Sequence, residues 1–394
     1  MTSLPLAAAA AAAARAEIIV DLDAIRDNVA TLRARVEGRA LMAVVKADGY
    51  GHGMVPAARA ARSGGADWLG AAFVEEALEL RRAGDVGRIL TWLAVPGEDY
   101  EEAIAAEIDL TAYTVGELDE LCAAARRVGS VARVQLKVDT GLSRGGSSQT
   151  LWPALVEAAA DAEQSGTVRI TGIWSHLACS DEPEHPANDR QEKGFRAALE
   201  TADRTGLDPE VRHLCNSAGV LTRPSAWFDL VRCGIAVYGL SPIPALATSA
   251  HLGLVPAMTA RARLAIVKRI PAGAGVSYGH TYHAERDTNV GVVPVGYGDG
   301  ILRHGSSKAP VQAAGKVRTI AGRVCMDQFV IDIGDDVAAA GDTVVLFGKG
   351  THGEPTVQDW ADACETISYE IVTRIGGRML RRHVENTSES KGEV

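Results

Sequence analysis

Long hydrophobic runs are missing from this sequence of 394 residues. No apolar stretch reaches the roughly 20 residues that a membrane-spanning helix needs, so we expect no membrane partner. Clusters of positive charge are missing as well, and the formal net charge is -10. A protein that follows a nucleic-acid backbone needs such a basic stripe, so nucleic acid is not an expected partner either. A small molecule remains as the expected ligand.

Metal-binding patterns are also absent. The six cysteines, at positions 122, 179, 215, 233, 325 and 364, are scattered, and no Cys-x-x-Cys pair occurs. The ten histidines form no His-Glu-x-x-His helix. We therefore expect no metal site and no disulfide framework, and a reducing cytoplasm is the simpler location.

The N-terminus carries Leu4-Pro5-Leu6 and then eight alanines, at 7–14. This run resembles the apolar core of a secretory signal, but no Lys or Arg precedes it. The composition favours a disordered Ala-rich extension over residues 1–16, with a secretory signal as the alternative. A polar tail is expected over residues 385–394.

Between about residues 40 and 240, short apolar runs alternate with longer amphipathic segments such as Glu75–Ala83 and Val115–Val128. This alternation is typical of β-α units around a parallel sheet. A closed barrel needs eight strands, and eight runs occur. An open doubly wound sheet is the alternative. The runs are 40–47, 68–73, 88–93, 110–114, 132–139, 170–177, 211–215 and 231–237.

The pattern changes after Ser241, where strand-like segments are separated by Gly and Asp turns. We therefore predict an α/β chain with an N-terminal (β/α)8 barrel over 17–240 and a mostly β C-terminal domain over 241–384. The strand-like segment Glu17–Leu22 fits either part. The predicted C-terminal strands are 260–268, 289–295, 317–320, 329–333 and 343–347.

Chemically active side chains collect where the predicted barrel strands end. The carboxyl ends of barrel strands meet on one rim, so these residues are expected to share one site. They are Lys46, Lys137, Asp139, His176, Asn216 and Arg232.

Lys46 ends the apolar run Leu41–Val45 and is followed by Asp48, Gly49, Gly51 and Gly53. An amine at the end of a buried strand loses hydration, which lowers its pKa towards the neutral form that attacks an aldehyde. The alternative is a lysine whose stem lies along apolar surface while its charge stays in water.

The whole segment Ala43-Val44-Val45-Lys46-Ala47-Asp48-Gly49-Tyr50-Gly51-His52-Gly53 resembles the cofactor-lysine motif of alanine racemases. The resemblance continues from about Glu17 to Arg382. It implies a barrel followed by a β domain, with pyridoxal 5'-phosphate (PLP) held on Lys46 as a Schiff base. It also implies racemisation of alanine for cell-wall precursors, and a homodimer with shared active sites.

The resemblance extends to further cofactor contacts. Arg232 matches an arginine that faces the pyridine nitrogen and, because it keeps its own proton, leaves that nitrogen unprotonated. His176 matches a histidine against the cofactor ring, in a network with a tyrosine base. The positions that match phosphate contacts are Tyr50, Asn216, Ser217, Gly234, Ile235 and Tyr369.

Two other segments match the substrate site of the family. In Leu136–Arg144, Lys137 matches a lysine that is often carbamylated and Arg144 matches the arginine that it orients. A Lys137–Asp139 ion pair is the alternative. The segment Gly322–Asp327 resembles the family's loop at the substrate carboxylate. The resemblance implies that Met326 offers its backbone N–H to that carboxylate and that Asp327 orients it.

Tyr278 matches the second catalytic base, which serves the L-enantiomer while Lys46 serves the D-enantiomer. In the family this tyrosine and the Cys325–Asp327 loop come from the neighbouring subunit. A weaker match covers the access corridor for the substrate, which comprises Asp181, Tyr297, Arg303 and Arg323.

The sequence departs from the family pattern at Gly145-Gly146 and at His280. These differences affect the expected substrate preference, so a serine or broad-specificity racemase remains an alternative. A PLP-homeostasis protein of a single domain would lack counterparts of Tyr278 and the Cys-Met-Asp loop. A PLP decarboxylase of similar fold would carry a carboxylate in place of Arg232.

Overall fold

A computed structural model of the chain describes residues 14–385, which fall into two compact units. The barrel unit contains residues 25–49 and 53–254, and the β unit contains residues 14–24, 50–52 and 255–385. Apart from residues 14–16 and 385, the expected N-terminal extension and polar tail lie outside the described residues. No helix within the described range is both long and apolar enough to cross a membrane.

The barrel unit contains eight parallel strands, as predicted, and their order in the sheet follows the chain except that the last strand lies beside the first. Backbone hydrogen bonds from Asp229 N to Arg212 O and from Arg232 N to Cys215 O, both 3.0 Å, close the sheet between its two end strands. The predicted barrel is therefore confirmed. Its strands are β2 (Ala40–Val44), β3 (Trp68–Ala71), β4 (Arg88–Thr91), β5 (Asp109–Ala112), β6 (Ala132–Lys137), β7 (Val168–Trp174), β8 (Val211–His213) and β9 (Leu230–Cys233).

Eight helices accompany these strands, the first of them beginning in the β unit. The predicted helix over 115–128 begins at a capping box, in which Thr114 Oγ1 accepts from Glu117 N, and ends before Gly129 at a φ of 72°. The helices are α1 (Leu22–Arg35), α2 (Met54–Ser63), α3 (Val74–Arg82), α4 (Glu101–Ala105), α5 (Val115–Val128), α6 (Trp152–Gln164), α7 (Ala187–Arg204) and α8 (Ser217–Thr222).

The barrel interior combines an apolar cluster with buried polar side chains. Met42, Trp68, Leu90, Val211 and Leu230 form the buried apolar cluster. Buried polar side chains include Gln135 and Lys137 on β6, His213 on β8 and Arg232 on β9. A buried polar group must find hydrogen-bond partners inside the protein, so these side chains are expected to form a connected network.

The β unit is built on a six-stranded sheet. Its order is β16 (Lys316–Thr319), β15 (Pro310–Ala313), β18 (Thr343–Phe347), β10 (Met258–Arg263), β1 (Ala16–Asp21) and β19 (Leu380–Val384). The N-terminal strand β1 (Ala16–Asp21) runs antiparallel to β10 (Met258–Arg263) and parallel to β19 (Leu380–Val384). Its buried Glu17 pairs with Arg261 and Arg382 on these two neighbours. The segment Glu17–Leu22, which the sequence alone could place in either domain, therefore pairs with strands of the C-terminal sheet.

One predicted strand was wrong. The segment 260–268 is not continuous, because β10 ends at Arg263 and β11 (Ile266–Ile270) joins a separate three-stranded sheet. The other strands of this sheet are β14 (Thr288–Val293) and β17 (Phe329–Gly334). Leu264 N bonds to Asp342 O and Ala265 N to Val292 O, so the chain changes sheets at this point. An apolar run does not reveal such a change of partner.

The strands between β11 and β19 in the chain also belong to the β unit. They are β12 (Gly275–Val276), β13 (Tyr282–His283), β14 (Thr288–Val293), β15 (Pro310–Ala313), β16 (Lys316–Thr319), β17 (Phe329–Gly334) and β18 (Thr343–Phe347). Two helices that the sequence did not predict, α9 (Val357–Ala363) and α10 (Ser368–Arg374), follow the last of these strands. Trp360 of α9 is buried and donates from Nε1 to Leu346 O of β18, which attaches the helix to the sheet.

Candidate active site

The carboxyl ends of the barrel strands carry most of the predicted site residues. Lys46 follows β2, Lys137 ends β6, His176 follows β7, Ser217 follows β8 and Arg232 lies in β9. Parallel strands that close into a barrel present these ends on one rim. Residues 14–385 contain no group of three or more His, Cys, Asp or Glu side chains that could hold a metal ion.

Lys46 begins a left-handed turn. Ala47, Asp48, Gly49 and Tyr50 have φ values of 52°, 53°, 62° and 53°. Non-glycine residues rarely adopt this conformation, so the turn needs support from its neighbours. Glu76 Oε1 accepts from Ala47 N at 2.7 Å, and Asp48 Oδ1 accepts from Met54 N at 2.8 Å.

The surroundings of Lys46 favour its neutral form. Burial lowers the pKa of its amine, the Arg144 charge lowers it further, and Glu76 opposes both effects. The Lys46 Nζ lies 5.7 Å from the centroid of the Trp92 ring. A neutral amine carries the lone pair that both imine formation and proton abstraction require.

Arg232 is the most enclosed charge of the rim. Its Nη2 donates to the carbonyl oxygens of Ser175 and Leu214 at 2.8 and 3.1 Å and to His176 Nδ1 at 3.1 Å. Its Nη1 donates to His213 Nδ1 at 2.8 Å. Burial lowers the pKa of Arg232 to about 10, so the guanidinium remains charged at neutral pH.

These bonds determine the protonation of two histidines. A guanidinium has no acceptor, so the Nδ1 atoms of His176 and His213 must both be unprotonated. His213 Nε2 then carries the proton and donates to Gln135 Oε1 at 2.8 Å. Burial and the Arg232 charge also lower the pKa values of both histidines well below their usual range.

The indole ring of Trp174 packs against His213, Arg232 and Lys137. Its ring stacks on His213 at 5.6 Å with an interplanar angle of 6°, and Arg232 Cζ lies 4.9 Å from its centroid. Lys137 Nζ lies 4.5 Å from the same centroid and 5.2 Å from that of Tyr113. The electron-rich ring faces partly compensate the charges that lie over them.

Lys137 does not form the ion pair with Asp139 that the sequence left open. Asp139 Oδ1 instead accepts from the backbone N–H groups of residues 141, 142 and 143. Burial, followed by the charges of Arg232 and Arg144, lowers the pKa of Lys137 to about 8. Arg144 is exposed and forms no hydrogen bond or ion pair within the described part of the chain.

The predicted phosphate contacts fall into two groups. Ser217 Oγ accepts from Gly234 N at 2.8 Å, and Asn216 Oδ1 caps α8 by accepting from Gly219 N at 3.0 Å. Ser217 and Ile235 each begin a short helix, where backbone N–H groups have no intrahelical acceptor. In the β unit, the rings of Tyr50 and Tyr369 lie 6.1 Å apart.

Tyr278 lies on an exposed turn of the β unit, and 71% of its surface is accessible. The preceding Ser277 has a φ of 63°, and its Oγ donates to Arg323 O at 2.7 Å. The turn is thus bonded to the loop that carries Met326 and Asp327, and both of these side chains are exposed. The structure therefore places Tyr278, Met326 and Asp327 in one region of one unit.

The predicted corridor residues are also exposed. Arg323 lies beside Gly279 of the Tyr278 turn, since a Cβ at that position would meet its Nη1 at 3.0 Å. Tyr297 N donates to Cys325 O at 3.0 Å, and Ser306 Oγ, in the turn after Arg303, accepts from Val324 N at 3.0 Å. Asp181 lies in the barrel unit and is exposed.

Sequence reasoning missed four residues that the structure places against the site. Gln135, Trp174 and His213 support Arg232, and Arg378 bonds to Asp327 at 2.6 Å. A signal did exist for His213, which stands near the end of a barrel strand in the same way as His176. Gln135 and Arg378 have no local sequence signal, because their partners are far away in the chain.

Comparison with known proteins agrees with this arrangement. Residues 20–242 match the family of alanine racemase N-terminal domains, and residues 257–383 match the family of alanine racemase C-terminal domains. The alanine racemase of Thermobifida fusca is 57% identical over 366 residues, which cover 93% of this chain and 97% of that protein.

Solved structures are similar over the same range. The alanine racemase of the D-cycloserine producer Streptomyces lavendulae has a TM-score of 0.93 at 56% identity, covering 94% of this chain and 97% of that one. The alanine racemase of Bartonella henselae, solved with covalently bound pyridoxal phosphate, has a TM-score of 0.84 at 27% identity. That match covers 94% of this chain and all of the other.

The His213→Phe variant tests the Arg232 network. Phenylalanine can keep the stacking on Trp174 but leaves Arg232 Nη1 and Gln135 Oε1 without partners, so we expect a loss of about 2 to 4 kcal/mol in the free energy of unfolding. Urea denaturation at neutral pH measures this loss. The exposed His251→Phe serves as the control and should keep the wild-type value.

The pH dependence of that loss has a defined sign. The folded state holds His213 neutral, so below about pH 6.5 only the unfolded state takes up its proton, and the wild type loses about 1.4 kcal/mol per pH unit from this residue. The variant lacks this contribution, so the difference between the two proteins should shrink as the pH falls. Parallel pH profiles would contradict the neutral assignment.

Proposed function

This chain belongs to the alanine racemase family, and from that premise we propose that Lys46 and Tyr278 are the two bases that exchange the Cα proton of alanine. Its activity is the interconversion of L- and D-alanine, and its cofactor is PLP. The observation that carries the assignment of Lys46 is the convergence of Lys46, Lys137 and Arg232 on one barrel rim.

The residues of the rim fit PLP. After burial, the Arg144 charge lowers the pKa of Lys46, and the charges of Arg232, Arg144 and Lys46 lower the pKa of Lys137. The acidic groups that oppose these shifts are Glu76 near Lys46 and Asp139 near Lys137. Such an excess of positive charge favours an anionic ligand. Asn216, Ser217, Gly234 and Ile235, with Tyr50 and Tyr369, would hold the phosphate. Arg232 Nε, which has no acceptor among the described residues, would face the ring nitrogen, with His176 against the ring.

When bound, PLP withdraws electrons from the substrate and acidifies its Cα–H. Lys46 Nζ, whose pKa is lowered by burial, removes or returns this proton on the face that serves D-alanine. Tyr278 Oη does the same on the opposite face for L-alanine. Proton removal on one face and return on the other inverts the configuration.

We propose that the substrate carboxylate is bound by Arg144 of one chain and by the Met326 N–H of the partner chain. Arg144 supplies a charge that no described residue neutralises, and the Met326 N–H has no acceptor within residues 14–385. Asp327 orients the carboxylate in this proposal. Asp181, Tyr297, Arg303 and Arg323 line the corridor through which alanine reaches these groups.

Lys137 is proposed to be carbamylated. At a pKa of about 8, a useful fraction of its amine is neutral at physiological pH. The neutral nitrogen adds to carbon dioxide, forming an N–C bond and releasing one proton to solvent. The resulting anion can accept hydrogen bonds from Arg144, which the unmodified ammonium cannot.

We further propose a homodimer in which each active site uses the barrel of one chain and the β domain of the other. The exposure of Tyr278 and Met326 supports this arrangement, because large exposed apolar side chains in one region favour contact with a protein partner. Residues 17–240 and 241–384 are the proposed domain limits, with β1 contributing to the second domain. The free cysteines suit a reducing cytoplasm, where D-alanine would supply cell-wall precursors.

The central test of the two-base assignment is incubation of the holoenzyme with L-alanine in deuterium oxide. We expect D-alanine that carries deuterium at Cα. Tyr278→Phe should lower turnover from L-alanine by about a hundredfold or more, while D-alanine still exchanges its Cα proton through Lys46. Tyr282→Phe, in the same unit, should keep racemisation. Equal loss of exchange from both enantiomers in Tyr278→Phe would contradict the assignment. A parallel incubation with L-serine distinguishes an alanine-specific enzyme from a broad-specificity one.

Mixing two inactive variants tests the shared active site. Dimers that combine Lys46→Ala with Tyr278→Phe contain one doubly defective site and one intact site. Random exchange of subunits should therefore restore about a quarter of wild-type activity. The matched control is a mixture of Lys46→Ala and wild-type enzyme that is kept under conditions in which the two proteins do not exchange subunits. No recovery after exchange, verified by native mass spectrometry, would place both bases on one chain.

Carbon-13 NMR tests the modification of Lys137. In labelled bicarbonate the wild type should show a carbamate resonance that grows as the pH rises towards 8, because the neutral amine is the reactive form. Lys137→Arg should lack the resonance, whereas the exposed Lys316→Arg should retain it. A resonance that survives in Lys137→Arg, or its absence from the wild type, would overturn this proposal.

A further inference from the structure

One guanidinium in the β unit bridges two carboxylates of very different exposure. Arg378 Nε and Nη2 donate to the two oxygens of Asp299, both at 3.0 Å, and its Nη1 donates to Asp327 Oδ1 at 2.6 Å. The side chain of Asp299 is fully buried, whereas 61% of that of Asp327 is exposed. The bidentate end is geometrically specific, so the third bond has a defined direction.

The buried end of this bridge is firmly held. Asp299 Oδ2 also accepts from Gly296 N at 3.0 Å, and Arg15 Nη2 lies 3.5 Å from Asp299 Oδ1. Burial alone would raise the pKa of Asp299, but the bonds from Arg378 and Gly296 outweigh burial and keep the pKa below its usual range. Asp299 is therefore ionised at neutral pH and fixes the guanidinium.

Asp327, at the exposed end of the bridge, directly follows Met326, whose backbone amide is proposed to bind the substrate. Met326 O accepts from Gly298 N at 2.8 Å, which fixes one side of that residue. A Cβ at Gly298 would lie 3.0 Å from Arg378 Nη2 and 3.1 Å from Met326 O, so a side chain there would crowd both groups. Arg378 fixes the other side through Asp327. The Met326 N–H shares its peptide plane with Cys325 O, which accepts from Tyr297 N at 3.0 Å. The position of this amide therefore depends on that bond together with the bonds at Met326 O and Asp327.

Charge gives Arg378 a second role. A carboxylate at Asp327 beside a bound substrate carboxylate would repel it, since like charges disfavour each other's ionised form. The guanidinium on Asp327 reduces this repulsion. Arg378 pairs with Asp327 and Asp299 together, so one residue supplies both the position and the compensating charge.

We propose that Arg378 is a positioning residue for the substrate carboxylate, which it serves by bridging Asp299 and Asp327 and so holding the Met326 N–H towards the ligand. The inference rests on the proposed function of the Met326 loop. Alanine carries the same carboxylate in both enantiomers, so the effect falls on both directions of the reaction. Loss of the bridge should weaken binding more than the proton transfer.

Steady-state kinetics of Arg378→Ala test this inference. We expect KM for L- and D-alanine to rise about tenfold to a hundredfold, as loss of a charged hydrogen bond would give, while kcat falls much less. Inhibition by propionate, a carboxylate without an amine, should weaken in parallel. Arg378→Lys should recover part of the affinity. The matched control is Arg269→Ala, an arginine of similar exposure, 52% against 51%, which pairs with the exposed Asp335.

A double-mutant cycle with Asp327→Ala separates positioning from folding. If Arg378 acts through Asp327, the double variant should bind alanine no worse than Arg378→Ala, and the two changes should not add. Additive effects on KM, or an unchanged KM in Arg378→Ala, would show that Arg378 only stabilises the fold through Asp299. If Arg378→Ala does not fold, as circular dichroism would reveal, Arg378→Lys takes its place in the cycle.

The outcome is distinguishable from failure of the proposed function. A wild-type enzyme that does not racemise alanine contradicts the function itself. A wild-type enzyme that racemises alanine, with Arg378→Ala unchanged in both KM and propionate inhibition, contradicts only the inference about Arg378. Absorbance of the bound cofactor should be the same in all these variants, because Arg378 is not among the residues proposed to hold it.

Discussion

The buried charge of Arg232 is the constraint on which the barrel site depends. A guanidinium inside a barrel must be satisfied by acceptors, and here they are two carbonyl oxygens and two histidine nitrogens. No carboxylate forms an ion pair with it within residues 14–385. The acceptor set fixes both histidine tautomers and, through His213, the orientation of Gln135. The glycine at position 172 also depends on this orientation of Gln135, since a Cβ there would lie 2.6 Å from Gln135 Cδ.

An unneutralised guanidinium also sets the electrostatics of the rim. Arg232 contributes to the lowered pKa values of Lys137 and His176, after burial. The rim therefore combines a persistent positive charge with amines that can become neutral. Such a site can bind an anionic cofactor and still provide a base, which one isolated lysine in water could not do at neutral pH.

The β unit uses the same principle with the opposite sign. Asp299 is a buried anion whose principal partner, Arg378, also reaches the exposed Asp327. In both units a buried ion fixes a neighbouring side chain, and this neighbour meets the groups that the proposed reaction uses. Surface loops are usually mobile. A buried ion that bonds to a side chain of the loop can hold the loop in a defined position.

The sequence by itself determined the barrel, the mostly β second domain and the local motifs around Lys46, Arg144 and Tyr278, because strand periodicity and short motifs are encoded by neighbouring residues. Only the tertiary structure showed that the segment 260–268 changes sheets, that β1 pairs with β10 and β19, and that Asp139 bonds to the backbone and not to Lys137. It also identified the partners of Arg232 and Arg378. Gln135 lies 78 residues from His213 and Arg378 lies 79 from Asp299, and no local pattern records contacts at such separations.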